Sequence, residues 1–284
     1  MTAPLGIIAG LGDLPVTIAD QARDRGEPVY ILRIAGFEEP RLADYPGEVV
    51  GFGEIGRQMK LLKSAGCEKL VFAGIVKRPD FSALKLDMRG ARLLPKVLMA
   101  ARKGDDALLR VMVETVEKEG IKVIGAHEAN RDLTMSRGVL AGPQPSEAAL
   151  GDARRALQVA REIGRLDIGQ GCVVCDGLVL AVEAQEGTDA MLARVSGLAE
   201  EVRGREGARR GVLAKAPKPI QERRIDMPTI GLSTLEGAAR AGLAGIVLEP
   251  GGALVLERDA LIARADALGV FILGLDQDDP GAGG

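Results

Sequence analysis

The stretch Leu213–Gly231, LAKAPKPIQERRIDMPTIG, sets cations and carboxylates on a proline-stiffened loop. Lys215, Lys218, Arg223 and Arg224 bring positive charge, and Glu222 and Asp226 bring carboxylates. Pro217, Pro219 and Pro228 restrict the backbone, which lowers the entropy lost in holding those groups in place. Metal-assisted phosphoryl chemistry needs this combination: cations neutralise phosphate oxygens, while a carboxylate holds Mg2+ or orients water. Glu183, near the end of a hairpin's return strand, offers a second carboxylate, with Gln170 and Thr188 at neighbouring strand and helix ends. A salt-bridged surface loop without chemistry is the competing reading.

A second group lies near the N-terminus. Gly10-Leu11-Gly12-Asp13-Leu14-Pro15 follows a short apolar run, as in dinucleotide-binding domains. The fingerprint requires a third glycine, where Pro15 stands, and an acid near the tip of the second strand, where RIAGF has none. A nicotinamide or flavin site is therefore disfavoured. What survives is a tight turn leading into a helix whose N-terminal amides suit an anion, with Asp13 as a cap and Pro15 in the first turn. Ligands of open parallel sheets bind outside the carboxyl ends of the strands. Gly74, Lys77 and Arg78 of AGIVKRPDF and Glu128 of GAHEAN fall there too, and a Lys-Arg pair beside a glycine turn suits a diphosphate. His127, the one histidine, has no partner implied by spacing. Lys103-Gly104-Asp105-Asp106 reads as a helix stop followed by an N-cap pair.

The elements that must position these residues read as α/β. In the first 130 residues, strands at 5–9, 28–34, 48–52, 69–76 and 122–126 alternate with helices, which implies a mostly parallel, Rossmann-like sheet. Residues 131–164 show no strand signal; they read as a connector, a loop followed by a helix capped by Ser146. Residues 165–284 read as a mixed α/β domain with one hairpin at Asp176-Gly177 and a second turning at Pro250-Gly251-Gly252, and the ligand site is expected between the two domains.

Bulk properties exclude several classes. The chain has 284 residues and a formal net charge of −3, so no global basic field attracts polyanions. Aromatic residues are 2% with no Trp, which argues against base-stacking platforms and leaves an aliphatic core. Cys67, Cys172 and Cys175 lack the companions of a structural zinc site and read as buried apolar thiols in a reducing cytoplasm. No leader pattern and no membrane-length apolar run is found.

GIIAGLGDLP, AGIVKRPDF, LDIGQGCVV…VLAVEAQEGTDAML and LAKAPKPIQERRIDMPTIG together resemble the LpxI-type UDP-2,3-diacylglucosamine hydrolases of lipid A synthesis, over nearly the whole chain and in family order. The resemblance implies two α/β domains and Mg2+-dependent hydrolysis of the substrate's diphosphate, giving UMP and 2,3-diacylglucosamine 1-phosphate (lipid X), with water attacking the β-phosphorus. It implies that Asp226 is the catalytic or metal-holding acid; Glu183, read from the hairpin and not from the resemblance, stands as a further carboxylate for the metal. Lys215 and Arg224 are implied as diphosphate contacts, and Gly12, Asp13, Leu14, Lys77 and Arg78 as one ligand-binding edge, joined by Gln170 and Thr188. Glu222 departs from the family's usual Asp and leaves its own role open. The substrate's acyl chains imply an aliphatic chamber and transient visits of a cytoplasmic protein to the inner membrane surface. A homodimer is expected because symmetric dimers are the commonest oligomers. A non-catalytic nucleotide-sugar or lipid-binding protein is the alternative.

Overall fold

The structure is a computed structural model that describes residues 2–77, 80–81, 83–219 and 222–276; Arg78 and Gln221 lie outside the described residues. The chain forms two compact units, Met1–Arg131 with Glu222–Asp226, and Asp132–Gln221 with Met227–Gly284.

The first unit runs β1 (Leu5–Ala9), α1 (Asp13–Asp24), β2 (Val29–Ile34), β3 (Gly47–Val50), α2 (Ile55–Ser64), β4 (Lys69–Ala73), α3 (Met88–Ala101), α4 (Asp105–Glu117), β5 (Lys122–Val123) and α5 (Ala126–Ala129). Its five strands are parallel in the order β3-β2-β1-β4-β5. Strands covered on both faces read as continuous apolar runs, and Ile7, Ala9, Ile31 and Leu32 are fully buried. On one face, Met59 and Leu62 of α2 and Val113 and Val116 of α4 pack against Ile8, Leu32 and Leu70.

The second unit runs β6 (Gly138–Ala141), α6 (Glu147–Arg165), β7 (Gly171–Cys175), β8 (Leu178–Val182), α7 (Gly187–Ser196), β9 (Val212–Lys215), β10 (Thr229–Ile230), α8 (Leu232–Arg240), β11 (Gly245–Leu248), β12 (Leu254–Val255), α9 (Arg258–Leu268) and β13 (Phe271–Gly274). Six strands form a mixed sheet in the order β6-β13-β11-β9-β7-β8. Its residues alternate between two cores. Cys172, Val174, Val212 and Ala214 face the alanine-rich stripe of α6, whereas Val173, Leu213 and Ile246 face α7, α8 and α9. Ser146 caps α6 through its hydroxyl (3.2 Å to the Ala149 N–H). Burial pushes the Cys172 thiol up to about 12 and the Cys67 and Cys175 thiols to about 11, so all three stay protonated hydrophobes. Among the described residues, no helix is long and apolar enough to cross a membrane.

Two expectations fail here. Residues 138–141, read as loop, are an edge strand antiparallel to β13. Four residues at a sheet edge, three of them half-buried, carry too little pattern to be seen. The second hairpin is absent: both edges of β11 are taken by β9 and β13, so the turn at Pro250–Gly252 leads the chain out of the sheet, and β12 pairs in parallel with β10. The first hairpin does form, with Asp176 and Gly177 both at positive φ (50° and 79°). It is held from outside by Asp152 of α6, a buried carboxylate that accepts from the Asp176 and Gly177 amides at 3.0 and 2.7 Å. Asp152→Ala leaves two turn amides without their acceptor; a loss of about 1–3 kcal/mol is expected from urea unfolding of the full chain.

Candidate functional site

In the first unit, the turn between β1 and α1 explains its own glycines. Gly12 is the N-cap of α1, at φ 101°, a conformation that favours glycine. Asp13, expected to be the cap, is instead the first helical residue and pairs with Arg41 at 2.9 Å. A Cβ on Gly10 would lie 2.5 Å from the Ile75 carbonyl oxygen, and one on Gly74 would lie 2.8 Å from the Gly10 carbonyl carbon. These two glycines serve the close approach of the β1 and β4 loops, which Leu11 and Ile75 complete with reciprocal backbone hydrogen bonds at 3.1 and 2.8 Å.

An acid does reach this turn, from farther along than expected. The Gly12 N–H donates to the buried Glu39 carboxylate at 3.0 Å, and Glu39 is also held by the Arg41 guanidinium at 2.7 Å. The guanidinium first, then the Gly12 amide, hold the Glu39 carboxyl at about 2 against the cost of burial. Because Gly12 has no side chain to accept from the first turn of α1, the Asp13 and Leu14 amides remain donors for a ligand.

Beside this turn a cavity of about 280 Å³ opens at the carboxyl ends of β1, β2 and β4. Ile34, Phe52, Phe72, Leu108 and Met112 make it apolar, and the exposed Lys77 stands at its wall. Ile225, from the far part of the sequence, completes the lining.

Ile225 arrives with the segment Glu222–Asp226, which belongs to this unit. The Glu222 N–H donates to Asp106 Oδ1 at 2.6 Å. Glu222 then forks onto Arg224 with two 2.8 Å bonds, and Arg224 also meets Glu117 at 2.8 Å. Arg224 keeps Glu222 below the usual carboxylate range, and the Arg224 guanidinium is raised in turn, Glu222 first. The expected N-cap pair Asp105-Asp106 is corrected too: Gly104 caps α4, and Asp106 holds the incoming segment. Asp226 closes one helical turn (its N–H donates to the Glu222 carbonyl at 3.1 Å), and its half-buried carboxylate has no partner among the described residues. Glu128 accepts from the Gly125 amide at 3.0 Å as a local cap, and His127 Nδ1 is buried without a partner.

In the second unit, the register places four predicted residues at one sheet edge. Lys215 ends β9 opposite Gly171, and the Glu183 N–H donates to the Gly171 carbonyl at 2.8 Å, so Glu183, Gly171 and Lys215 form one row across three strands. A Cβ on Gly171 would fall 2.6 Å from Glu183 Oε2, so glycine makes room for that carboxylate. Glu183 Oε1 accepts from the Thr188 hydroxyl at 2.8 Å, while Glu183 Oε2 is buried without a partner. Gln170, whose carbonyl accepts from the Ala216 amide, has a buried side-chain oxygen in the same state. The buried Lys215 ammonium donates to the Thr229 carbonyl at 3.0 Å. Lys218 pairs with Asp167 at 2.7 Å.

Unsatisfied buried acceptors are uncommon and call for a donor or a cation. Two hard oxygens of this kind suit Mg2+, which binds one or two carboxylates and keeps water or substrate oxygens for the rest. Among the described residues, no cluster of three or more His, Cys, Asp or Glu forms a full protein cage.

Comparison with known proteins now bears on the chain as a whole. The profile of the LpxI N-terminal domain matches residues 4–133, and that of the LpxI C-terminal domain matches residues 136–273. The chain belongs to the LpxI family. It is 56% identical over 275 residues to the UDP-2,3-diacylglucosamine pyrophosphatase LpxI of Caulobacter vibrioides, covering 97% of this chain and 98% of that one.

Within this LpxI-family chain, Glu39, Arg41 and Glu117 are functional neighbours that the sequence reading did not single out, and Asp106 was read only as a helix cap. Glu39 lies in the FEEPRL segment just past β2, beyond the strand tip at which the dinucleotide fingerprint places its acid. Since the Glu39 carboxyl lies below its ordinary value of 4.5, its contacts stabilise fully above that pH and are lost as pH falls through about 2. Glu39→Gln keeps an acceptor for Gly12 but removes the anion facing Arg41. The wild-type urea midpoint should therefore fall more steeply across this window than the variant's; parallel profiles would contradict the assignment.

Proposed function

We propose that this chain hydrolyses the diphosphate of UDP-2,3-diacylglucosamine to UMP and 2,3-diacylglucosamine 1-phosphate, with Mg2+ as cofactor and with water attacking the β-phosphorus. The observation that carries the reading is the 56% identity, over nearly the full length of both chains, to a protein named for that pyrophosphatase activity.

The geometry supports each part of the substrate separately. The apolar cavity of about 280 Å³ suits acyl chain, since each buried methylene contributes about 0.8 kcal/mol. Lys77, with the Asp13 and Leu14 amides after Gly12, offers positive charge to phosphate at the first unit's edge, and Arg78, outside the described residues, is proposed beside it on the sequence alone. Lys215, with Gln170 and Thr188, offers it at the second unit's edge. Arg224 is held by Glu222 and Glu117 through three of its five N–H groups, and a diphosphate would meet the remaining donors or displace a carboxylate. Asp226 has no side-chain partner among the described residues, so its carboxylate is available to orient the attacking water and accept its proton. Water's oxygen bonds to the β-phosphorus, the bond from that phosphorus to the bridging oxygen breaks, and the bridging oxygen leaves with UMP. Glu183 Oε2 in the second unit and the Asp226 carboxylate in the first are each offered as a group for magnesium, and a bound ion would neutralise charge on the diphosphate oxygens. A diacylated substrate places the enzyme in the cytoplasm with transient contact at the inner membrane surface, and a homodimer is compatible with it.

UMP release should stop with EDTA and return with Mg2+. Asp226→Ala should lower kcat by about 10²–10⁴-fold while substrate affinity changes little; unchanged turnover would remove Asp226 from the mechanism, and tight binding without product under any metal would make this a binding protein. Hydrolysis in ¹⁸O water should label the diacylglucosamine 1-phosphate. Label in UMP would place attack at the α-phosphorus.

A further inference from the structure

Helix α3 has an outward face unlike the rest of this acidic chain. From Met88 to Gly104 the sequence has five Lys or Arg and no Asp or Glu, in a protein of net charge −3. Met88, Arg92, Pro95 and Met99 recur at i, i+4, i+7 and i+11, so they share one helical face, which Arg102 and Lys103 extend beyond the last turn. Met88 and Met99 are 73% and 64% exposed, and Leu98 beside them is 39% exposed. Arg89 and Lys96, at the margin, are paired with Glu119 and Glu114. Arg92, Arg102 and Lys103 have no acidic partner among the described residues.

We propose that this face docks the first unit on an anionic lipid bilayer. Large apolar side chains interleaved with unpaired cations on an amphipathic helix match a lipid surface: the thioethers and Leu98 enter the acyl boundary, and the long cationic side chains reach up to the head-group phosphates. A nucleic-acid surface would match the cations but would leave the two exposed methionines without a role. The opposite face adds a reason for the location. Val97 and Ala100 are buried against Leu108 and Val111 of α4, the helix whose Leu108 and Met112 line the apolar cavity. Leu93 and Val97 border a smaller void that shares Phe52 and Met112 with that cavity. Docking therefore brings the helices that wall the cavity to the surface in which a diacylated substrate resides. That consequence rests on the lipid-substrate reading; the docking itself does not.

The test is sedimentation of the full chain with phosphatidylcholine vesicles, with and without phosphatidylglycerol. Binding is expected only with the anionic lipid and is expected to weaken with salt. Arg92→Gln with Lys103→Gln should weaken partitioning roughly 30-fold, about fivefold per lost cation. Met88→Ser with Met99→Ser should also weaken it, and in both variants hydrolysis of detergent-dispersed substrate should be unchanged. Equal binding to both vesicle types, no binding by the wild type, or full binding by the variants would overturn the proposal. So would a wild-type dimer that dissociates in the variants, which would make the face a contact between copies. Vesicle binding by a wild type that releases no UMP would uphold the docking and sink the hydrolase reading.

Discussion

The five residues Glu222–Asp226 reach the first unit from the second half of the sequence, and the candidate chemistry depends on how they are held. One charge-assisted bond, from the Glu222 amide to Asp106, starts the turn. The Glu222–Arg224–Glu117 ion pairs brace it, and Ile225 anchors it in the core formed by β1, β2, α2 and α4. The chain consequently passes between units three times. A single backbone turn fixes three things together: the free carboxylate of Asp226, the occupied guanidinium of Arg224 and one wall of the apolar cavity. Loss of any of these contacts would affect Asp226 through its backbone, not through its own side chain.

The carboxylates divide by whether their oxygens are satisfied. Glu39, Asp106, Glu128, Asp152 and Glu222 each accept from a backbone amide, and they organise turns and helix starts. Glu183 keeps one buried oxygen open, and Asp226 has no side-chain partner among the described residues. Burying an unsatisfied acceptor costs stability, so the open oxygen of Glu183, in the same cross-strand row as Lys215, calls for a ligand. The glycines follow a parallel logic. Gly10 and Gly74, and Gly169 and Gly171, allow backbone or a carboxylate to come closer than any Cβ permits. In the second unit what comes close is Glu183, a candidate ligand; in the first it is only a neighbouring loop.

Much of this was legible in the residues themselves. Local chemistry determined the continuous apolar strands of the parallel sheet, the Asp176-Gly177 turn, the Ser146 cap and the buried thiols. Each of these follows from hydrophobic period, turn conformation or capping, which act over a few residues. Four distinctive motifs also led to the family.

Long-range pairing decided the rest. No local pattern says that β11 has both edges occupied and cannot form a hairpin, or that Gly138–Ala141 pairs with β13 across more than a hundred residues. None says that Glu39 bends back to the Gly12 amide, or that Asp106 receives the Glu222 amide 116 positions away. Residue types and spacing state which groups are available to do chemistry. Which carboxylates are consumed by backbone amides and which stay open is decided only when distant segments compete for the same donors in the folded chain.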